Sequence, residues 1–431
     1  MTTGRERSVQ IVERHQLDLS QFVKPGDTVV WGQACAEPQS LTELLVEQRV
    51  RIGRFRALIG ANFSTTFAAD HADHIDFVGT GAVGNVRHLA KAGVVDVVPF
   101  HITSCDRAIE NGWLRCDVAL VQVSPPDEQG RYSVGLTSDW IRTAVRHARI
   151  VIAEVNAQVP QTSCFEPLTD EDIDLRVDTD RPLLEVKSIV PGETDIAIAR
   201  HALQFIPDRA VVQVGIGSVP DALVPMLKDH KGLGIHSGMI GDSVVDLIQA
   251  GVVTNEHKEI DRGVTITGAL LGTRKLYDFC HRNAAVKLAP VSHTHDIRVI
   301  AALSNFISLN SAVEVDLSGQ VNAEAIGKNF LGAVGGQLDY GRAAAMSPGG
   351  RSIIALSSIT ADGRSRIVAG LSGPVTTPRS DVDLVITEQG VAELRAKPFS
   401  DRMKALIAIA HPSHRKALER EAFVAGAAHR T

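Results

Sequence analysis

Two acidic side chains stand in segments where a carboxylate is unexpected. The run NSAVEVDLSGQ places Glu314 between two valines, and its alternation over Ser311–Leu317 predicts a strand with Asn310 and Glu314 on one face. Asp339 follows shortly afterwards in GGQLDY. A carboxylate among apolar residues is paired, solvated at an edge or used in chemistry, because burying an unpaired charge is costly. The region 305–342 is therefore the first candidate for a functional site.

Glycines in the same region indicate close approach of a ligand. Gly332, Gly335 and Gly336 are three glycines within five residues, and Gln337 follows them directly. One tight turn needs fewer glycines than this, whereas backbone that approaches a ligand closely needs the absence of side chains. We therefore predict that Gly335, Gly336 and Gln337 contact a ligand.

A second candidate site lies in the region 211–255. Val211–Val214 predicts a strand, Gly215 and Gly217 a turn, and Ser218 and Val219 the start of a helix. The first N–H groups of a helix lack acceptors within it, so they can bind an anion or stabilise a developing oxyanion. A tight turn needs glycine for steric reasons alone, so the motif by itself leaves both interpretations open.

The histidines and cysteines lack the spacing of a metal site. His71 and His74 lie close in sequence, as do His293 and His295, but no HExxH pattern is present. The five cysteines are scattered without a CxxC pair, which also argues against a disulfide framework. We expect no bound metal.

The elements that position these residues follow an alternating pattern. Helical patterns such as Ser40–Gln48 and Asp242–Ala250 carry apolar residues three and four apart, and apolar, β-branched runs lie between such segments. This alternation predicts an α/β fold with mainly parallel sheets. The predicted strands are Thr28–Val30, Ala57–Ile59, Val94–Val98, Val118–Val123, Ile150–Glu154, Ala210–Val214, Val264–Ile266, Ser352–Leu356 and Leu384–Ile386.

A degenerate internal repeat indicates two similar halves. VVWGQACAEPQSL at 29–41 and VVQVGIGSVPDAL at 211–223 each combine an apolar strand, a glycine turn, a proline and a helical leucine. Strand–turn–helix units resemble one another in many α/β proteins, but here later strands at 117–123 and 383–387 keep the same order. We predict two tandem α/β domains, residues 1–190 and 191–431.

Composition excludes several classes of protein. The 431 residues include 44 Lys and Arg against 50 Asp and Glu, a formal charge of −6, which disfavours nucleic-acid binding. No stretch approaches the 18 or so uninterrupted apolar residues of a membrane span. The charged start MTTGRERSVQ differs from a signal peptide, so we expect a cytoplasmic protein.

Several long motifs in order resemble one known family. They are GDTVVWGQACAEPQSL, DVALVQVSPPDEQGRYSVG, GIGSVPDAL, NSAVEVDLSGQVNAE and SDVDLVITEQGVAEL. Together they resemble the acetyl-CoA hydrolase/4-hydroxybutyrate CoA-transferase family of class I coenzyme A transferases, over nearly the whole chain. The resemblance implies two tandem domains of similar fold with the active site between them, and a homodimer.

The resemblance also implies a reaction and its participants. In this family a glutamate attacks an acyl-CoA thioester to give an acyl-glutamyl anhydride, and coenzyme A then attacks the anhydride, which releases the first acid and leaves a glutamyl-CoA thioester. A second carboxylic acid then takes over the coenzyme A, or water hydrolyses the glutamyl-CoA thioester. Acyl-CoA is thus the implied substrate, and no step needs a metal. Val219, Gly335 and Gly336 match positions that hold the oxyanion and the thioester end. The same two turns supply the other implied coenzyme A contacts, which are Gly215, Gly217, Ser218 and Gln337.

The sequence departs from the family at the nucleophile. The family pattern has a glutamate in a stretch like GIHTEM, whereas this chain reads GIHSGM, with Gly238 at the position of the glutamate. Glycine offers no nucleophile, so the reaction type is left open at this point.

Four alternatives follow from Gly238. In the first alternative another carboxylate is the nucleophile, and the candidates are Glu314, Asp339, Glu37 and Asp242. By resemblance, Glu314 and Asp339 match family positions that normally support the glutamate. Alternatively, water activated by His236 or by a carboxylate cleaves the thioester or a carbon–carbon bond directly. Ser237 beside His236 is a third candidate nucleophile. In the fourth alternative the protein binds acyl-CoA without catalysis or needs a partner subunit to complete its site.

Overall fold

The structure is a computed structural model and describes residues 9–215 and 217–428. Strands and helices alternate along these residues, as the sequence predicts. The strands are β1 Gln10–Ile11, β2 Thr28–Trp31, β3 Phe55–Ile59, β4 Ile75–Gly79, β5 Val95–Val97, β6 Val118–Val123, β7 Ile150–Asn156, β8 Ser163–Cys164, β9 Leu175–Thr179, β10 Val211–Val214, β11 Gly234–Ile240, β12 Thr265–Leu270, β13 Val286–Leu288, β14 Phe306–Ser311, β15 Glu314–Asp316, β16 Val321–Asn322, β17 Ala325–Ile326, β18 Asn329–Phe330, β19 Arg351–Ala355, β20 Ile367–Val368, β21 Leu384–Thr387 and β22 Gly390–Glu393.

The α-helices fill the intervals between the strands. They are α1 Gln39–Glu47, α2 Arg49–Ile52, α3 Val86–Lys91, α4 Cys105–Glu110, α5 Ile141–His147, α6 Glu193–Leu203, α7 Ser218–Met226, α8 Asp242–Gln249, α9 Arg274–Cys280, α10 Val291–Thr294, α11 Ile297–Ala301, α12 Gln337–Met346, α13 Phe399–Ile409 and α14 Pro412–Ala428.

The chain folds into two compact units. Unit 1 runs from the first described residue to Lys187 and also includes Gly238–Asp242 and Ile266–Thr294. Unit 2 comprises Ser188–Ser237, Ser243–Thr265 and the described chain from His295 onward. The predicted boundary between residues 190 and 191 falls three residues after the first change of unit.

Unit 1 contains an eight-stranded sheet in the order β1-β9-β7-β6-β2-β3-β4-β5. Every neighbouring pair in this sheet is parallel. All six residues of β6 are buried, as expected for a central parallel strand covered on both faces. The parallel α/β prediction is confirmed for this unit. Short strands β8 and β13 form a further parallel pair within it.

Unit 2 has its own parallel sheet. Its strands follow the order β22-β21-β19-β14-β10-β11, and all neighbours are parallel except the hairpin of β21 and β22. Strand β11 changes unit within its length, because Ser237 belongs to unit 2 and Gly238 to unit 1. The two neighbours of β10 are β11 and β14, so the strand order reverses at β10. In open α/β sheets such a reversal opens a crevice at the carboxyl ends of the strands.

The two copies of the sequence repeat both fold as strand, turn and helix. In unit 1, β2 leads into α1, and in unit 2, β10 leads into α7. The later strands at 117–123 and 383–387 are β6 and β21. The repeat therefore corresponds to equivalent local structure in the two units.

The strand predicted over Ser311–Leu317 is confirmed for Glu314–Asp316, but it does not run continuously from Ser311. Ser311 ends β14, and Glu314 begins β15, which pairs with β16 and β20 in a separate three-stranded sheet. The intervening carbonyl oxygens are taken by a side chain, since the guanidinium of Arg366 donates to Ala312 and to Val313 (2.8 Å). Because a guanidinium replaces a strand partner there, the ladder is interrupted, and Asn310 and Glu314 do not share a face of one strand.

The longest helix that the structure describes is α14, with 17 residues. Among residues 9–215 and 217–428, no helix combines the length and the apolar character needed to cross a bilayer.

Candidate active site

The turn after β10 presents the start of α7 at the edge of the unit 2 sheet. Gly217 has φ +133°, which side-chain-bearing residues rarely adopt, and it precedes the first helical residue, Ser218. The Ser218 hydroxyl donates to Oδ1 of Asp195 on α6 (2.7 Å). This bond fixes the helix start, whose first N–H groups, including that of Val219, have no acceptor within the helix. The local structure predicted for Gly215–Val219 is therefore present over its described residues.

Strand β11 carries two buried polar side chains before Gly238. His236 and Ser237 are both fully buried. The Ser237 hydroxyl donates to the carbonyl oxygen of Val214 (3.0 Å) and so links strand β11 to strand β10. Nζ of Lys258 donates to the carbonyl oxygens of Ile235 (3.1 Å) and Val264 (2.7 Å), and burial lowers the pKa of this ammonium to about 8. Hydrogen bonds of unit 2 thus hold the backbone that leads to Gly238.

Glu314 is bound by groups of its own unit. Its Oε1 accepts hydrogen bonds from Nδ2 of Asn322 (3.0 Å) and from the main-chain N–H (2.6 Å) and hydroxyl (2.9 Å) of Ser372. The side chain is 7% exposed. Glu314 therefore ties β15 to the loop that carries Ser372.

The glycine-rich stretch leads directly into α12. Gln337, the first residue of the helix, donates through Nε2 to the carbonyl oxygen of Ser311 (2.8 Å) and accepts at Oε1 from Thr377 (2.9 Å). Asp339 lies buried in the first turn of the helix. These contacts place the start of α12 at the end of β14.

Gly336 is required by a neighbouring ring. A Cβ on Gly336 would overlap the imidazole of His295, which also packs on the Tyr340 ring with centroids 4.7 Å apart. Burial lowers the pKa of His295 to about 3, so this imidazole is neutral at physiological pH. The glycine at 336 thus has a packing reason in addition to any contact with a ligand.

Several predicted site residues of unit 2 lie together at one edge of the sheet. Gly215 follows β10, and Gln337 is bonded to the end of β14, the strand beside β10. Asn310 near the end of β14 donates to Gln213 near the end of β10 (3.1 Å). This edge is the crevice position of an α/β sheet, where main-chain N–H groups can meet a ligand.

Two other carboxylates that the sequence proposes as substitutes have structural partners in unit 1. Glu37 accepts from the Thr42 hydroxyl (2.6 Å) and from Nδ2 of Asn62 (2.7 Å). Asp242 accepts from the N–H (2.9 Å) and hydroxyl (2.7 Å) of Thr273 at the start of α9. Both groups hold local structure through both of their carboxylate oxygens.

Sequence reasoning missed a carboxylate that shares Gly268 as a neighbour with Gly238. Within unit 1, a Cβ on Gly268 of β12 would lie 2.6 Å from Oδ1 of Asp139 and 2.9 Å from the carbonyl oxygen of Gly238. Gln33 donates to the other oxygen of this aspartate. Asp139 lies only four residues beyond DVALVQVSPPDEQGRYSVG, but nothing in its sequence neighbourhood indicates a contact with residues about a hundred positions away.

Comparison with known proteins identifies the family. Residues 10–199 match the acetyl-CoA hydrolase/transferase N-terminal domain, and residues 272–422 match the C-terminal domain of the same family. The chain belongs to the acetyl-CoA hydrolase/transferase family, and the resemblance inferred from its motifs is confirmed.

Individual relatives support the same assignment. The chain is 37% identical over 425 residues to the 4-hydroxybutyrate coenzyme A transferase of Clostridium kluyveri, covering 96% of each protein. It is 27% identical over 249 residues to the acetyl-CoA hydrolase of Candida albicans, covering 53% of this chain and 45% of that protein. The crystal structure of RipA from Yersinia pestis matches with a TM-score of 0.91 at 30% identity, covering 96% of this chain and 97% of that one.

Proposed function

We propose that this protein is an acyl-CoA-processing enzyme that passes the acyl group directly to water, without a covalent enzyme intermediate at position 238. In this reaction a water oxygen bonds to the acyl carbon, the carbon–sulfur bond breaks, and a carboxylic acid and free coenzyme A are released. Family membership and the names of the relatives support the choice of an acyl-CoA thioester as substrate.

The observation that carries the choice of water is Gly238. The resemblance implies a glutamate at this position of β11, and glycine has no side chain to attack a thioester. No change in environment compensates for a missing functional group. Without an acyl-enzyme or an enzyme–CoA thioester, the acceptor must attack the substrate itself.

The hydrogen bonding of three of the four other candidate carboxylates supports the same conclusion. Glu37 and Asp242 each accept through both oxygens, and Glu314 accepts three hydrogen bonds on one oxygen. A carboxylate that is held in this way must give up those bonds before it attacks, and leaving a buried donor unsatisfied costs about 1–3 kcal/mol.

The carboxyl-terminal end of the unit 2 sheet carries main-chain N–H donors of the kind that both hydrolysis and coenzyme A transfer require. The N–H groups at the start of α7, with Val219 in the first turn, suit a thioester oxygen whose negative charge grows during attack. By resemblance Gly335 and Gly336 contribute to the same task, and Gly215, Gly217, Ser218 and Gln337 contact coenzyme A. Preorganised donors of this kind act equally well on hydrolysis and on acyl transfer.

Transfer of coenzyme A from the acyl-CoA to a carboxylic acid is the second candidate function. The observation that favours it is the 37% identity to a protein named as a CoA-transferase. This candidate needs a carboxylate that replaces the missing glutamate, with Asp339 or another acidic side chain in that role. We also propose, from the family resemblance, a homodimer, and we expect it in the cytoplasm.

The test is intact-protein mass spectrometry with a panel of saturated and β-ketoacyl-CoAs in H₂¹⁸O, with release of coenzyme A followed in the same samples. We expect release of coenzyme A, one ¹⁸O in the carboxylic acid product, no mass adduct on the protein and no dependence on added acetate or succinate. A shorter acyl-CoA from a β-ketoacyl substrate would specify carbon–carbon cleavage by water. An adduct mapped to one peptide would support transfer, and binding without turnover would support a non-catalytic protein.

A further inference from the structure

The buried carboxyl group of Asp139 is oriented by a single amide. Nε2 of Gln33 donates to Oδ2 of Asp139, and Oε1 of Gln33 accepts from the N–H of Ala61 (3.2 Å). Because a main-chain N–H can only donate, the Ala61 bond fixes which end of the Gln33 amide faces the aspartate. The carboxyl group of Asp139 is thereby held at Oδ2, and its other oxygen, Oδ1, points away from Gln33.

That other oxygen lies close to Gly268, a residue without a side chain. Oδ1 of Asp139 and the carbonyl oxygen of Gly238 both lie within 3 Å of the point that a Cβ on Gly268 would occupy. Any side chain at 268 would collide with both atoms. Asp139 and Gly238 are therefore both neighbours of Gly268, and Gly238 stands at the strand position where the family resemblance implies the nucleophile.

The backbone of Asp139 is strained, and neighbouring bonds maintain the strain. Its φ is +30°, in the left-handed region that residues with side chains rarely adopt. The preceding N–H, of Ser138, donates to the carbonyl oxygen of Gly268 (2.8 Å), and the carbonyl oxygen of Asp139 accepts from Val291 (3.1 Å). Strained conformations cluster at functional sites. Here the strain sets the direction of one carboxyl group.

The proton affinity of Asp139 fits proton transfer near neutral pH. Burial raises its pKa to about 7, the Gln33 hydrogen bond opposes this rise, and the Asp106 carboxylate adds to it. Asp106 itself is buried on α4 and is bonded to Thr143 and Ser292. A group whose pKa lies near the working pH can both accept and return a proton.

We propose that Asp139 is the catalytic base of this enzyme and that Gln33 is the residue that positions it. Asp139 takes a proton from the attacking water as the water oxygen bonds to the acyl carbon. When the carbon–sulfur bond breaks, the same proton passes to the thiolate sulfur, so that the carboxylate is restored and free coenzyme A leaves. This role rests on the proposed hydrolytic function, because a covalent glutamate would make such a base unnecessary in the first step.

The test compares Asp139→Asn with Asp139→Glu and with a matched control. Asn keeps the shape and still accepts from Gln33, but it cannot take a proton at neutral pH. Asp170→Asn is the control, since Asp170 of the same unit is exposed and accepts from the Tyr132 hydroxyl (2.6 Å). We expect kcat of Asp139→Asn to fall by about 100-fold or more, the usual contribution of a general base, with partial recovery in Asp139→Glu. Binding of a non-hydrolysable acyl-CoA analogue should be unchanged.

The pH profile separates a catalytic role from a structural one. We expect wild-type kcat to fall as the pH drops below about 7, because Asp139 is then protonated, and we expect this limb to be absent in Asp139→Asn. A wild-type profile without an ionisation between pH 6 and 8 would overturn the proposal even if the variants fail to fold. Wild-type rates in a folded Asp139→Asn would overturn the role of Asp139 alone. A wild type that turns over no acyl-CoA would instead contradict the proposed function, and the role of Asp139 with it.

Discussion

The Ser237 hydroxyl donates a hydrogen bond to the carbonyl oxygen of Val214 at 3.0 Å, and both groups lie in the interior of unit 2. A serine nucleophile needs a base that takes its proton, whereas this proton is directed at a main-chain carbonyl. The bond therefore links neighbouring parallel strands β10 and β11 immediately before Gly238.

Replacing Ser237 tests whether it is a nucleophile. We expect Ser237→Ala to keep kcat within about threefold and to lower the free energy of unfolding by about 1–2 kcal/mol, because the Val214 carbonyl loses a buried donor. Urea unfolding and steady-state kinetics measure the two effects. Loss of turnover in a folded variant would contradict this expectation and would support Ser237 as the nucleophile.

Restoring the family's nucleophile is the second test. We expect Gly238→Glu to create exchange between acyl-CoA and acetate and a covalent CoA adduct on the protein, because the family resemblance implies a glutamate at this position as the nucleophile. Gly238→Gln is the control, since it has the same size without the carboxylate. Adduct mass and isotope exchange with labelled acetate are the measurements. Absence of exchange in a folded variant that binds acyl-CoA would mean that a glutamate at position 238 no longer meets the geometry that coenzyme A transfer requires.

Glu314 distinguishes a structural carboxylate from a substitute nucleophile. Glutamine keeps an oxygen that can accept from Asn322 and Ser372, so we expect Glu314→Gln to retain turnover within about fivefold and to lose about 1 kcal/mol of stability. Kinetics together with thermal unfolding would reveal this. A loss of several thousandfold without unfolding would show that Glu314 took over from the missing glutamate.

The stability of the protein should depend on pH through Asp139. Its pKa in the folded state is about 7, raised above 3.8, so the folded state binds this proton more tightly and stability falls as the pH rises from about 4 to 7. Asparagine does not titrate, so Asp139→Asn should become more stable than the wild type, by about 2–4 kcal/mol at pH 8. Urea unfolding at pH 5 and pH 8 measures the difference. An equal stability gap at both pH values would contradict the raised pKa.

The sequence predicts those features of the fold that depend on local patterns. The strand–turn–helix units beginning at β2 and β10, and the parallel arrangement, follow from apolar periodicity and glycine turns. The break between Ser311 and Glu314 does not, because it depends on Arg366, more than fifty residues away, which donates to carbonyl oxygens that a strand partner would otherwise use. Periodicity carries no information about such a distant donor.

The residues of the candidate site likewise include some that local sequence patterns identify and others that only the folded structure reveals. Motifs identify Gly238 as the departure from the family, since that comparison needs only the local sequence. The neighbourhood of Asp139, Gln33 and Gly268 comes from three separate parts of the chain, and only folding brings them together. Burial, which sets the proton affinity of Asp139, is likewise a property of the packed unit and not of the residue type.

Unit 1 takes its residues from three separated stretches of chain, and the last of them ends at Thr294. A ribosome releases the chain from its N-terminus, so Lys187 emerges about a hundred residues before Thr294 does. At about 5–20 residues per second, this delay is roughly 5–20 s. During that interval the nascent protein carries an incomplete first unit, and the surface later covered by β12 and β13 is open to chaperones or to neighbouring nascent chains. The rate of translation through residues 188–294 thus bears on the yield of active enzyme.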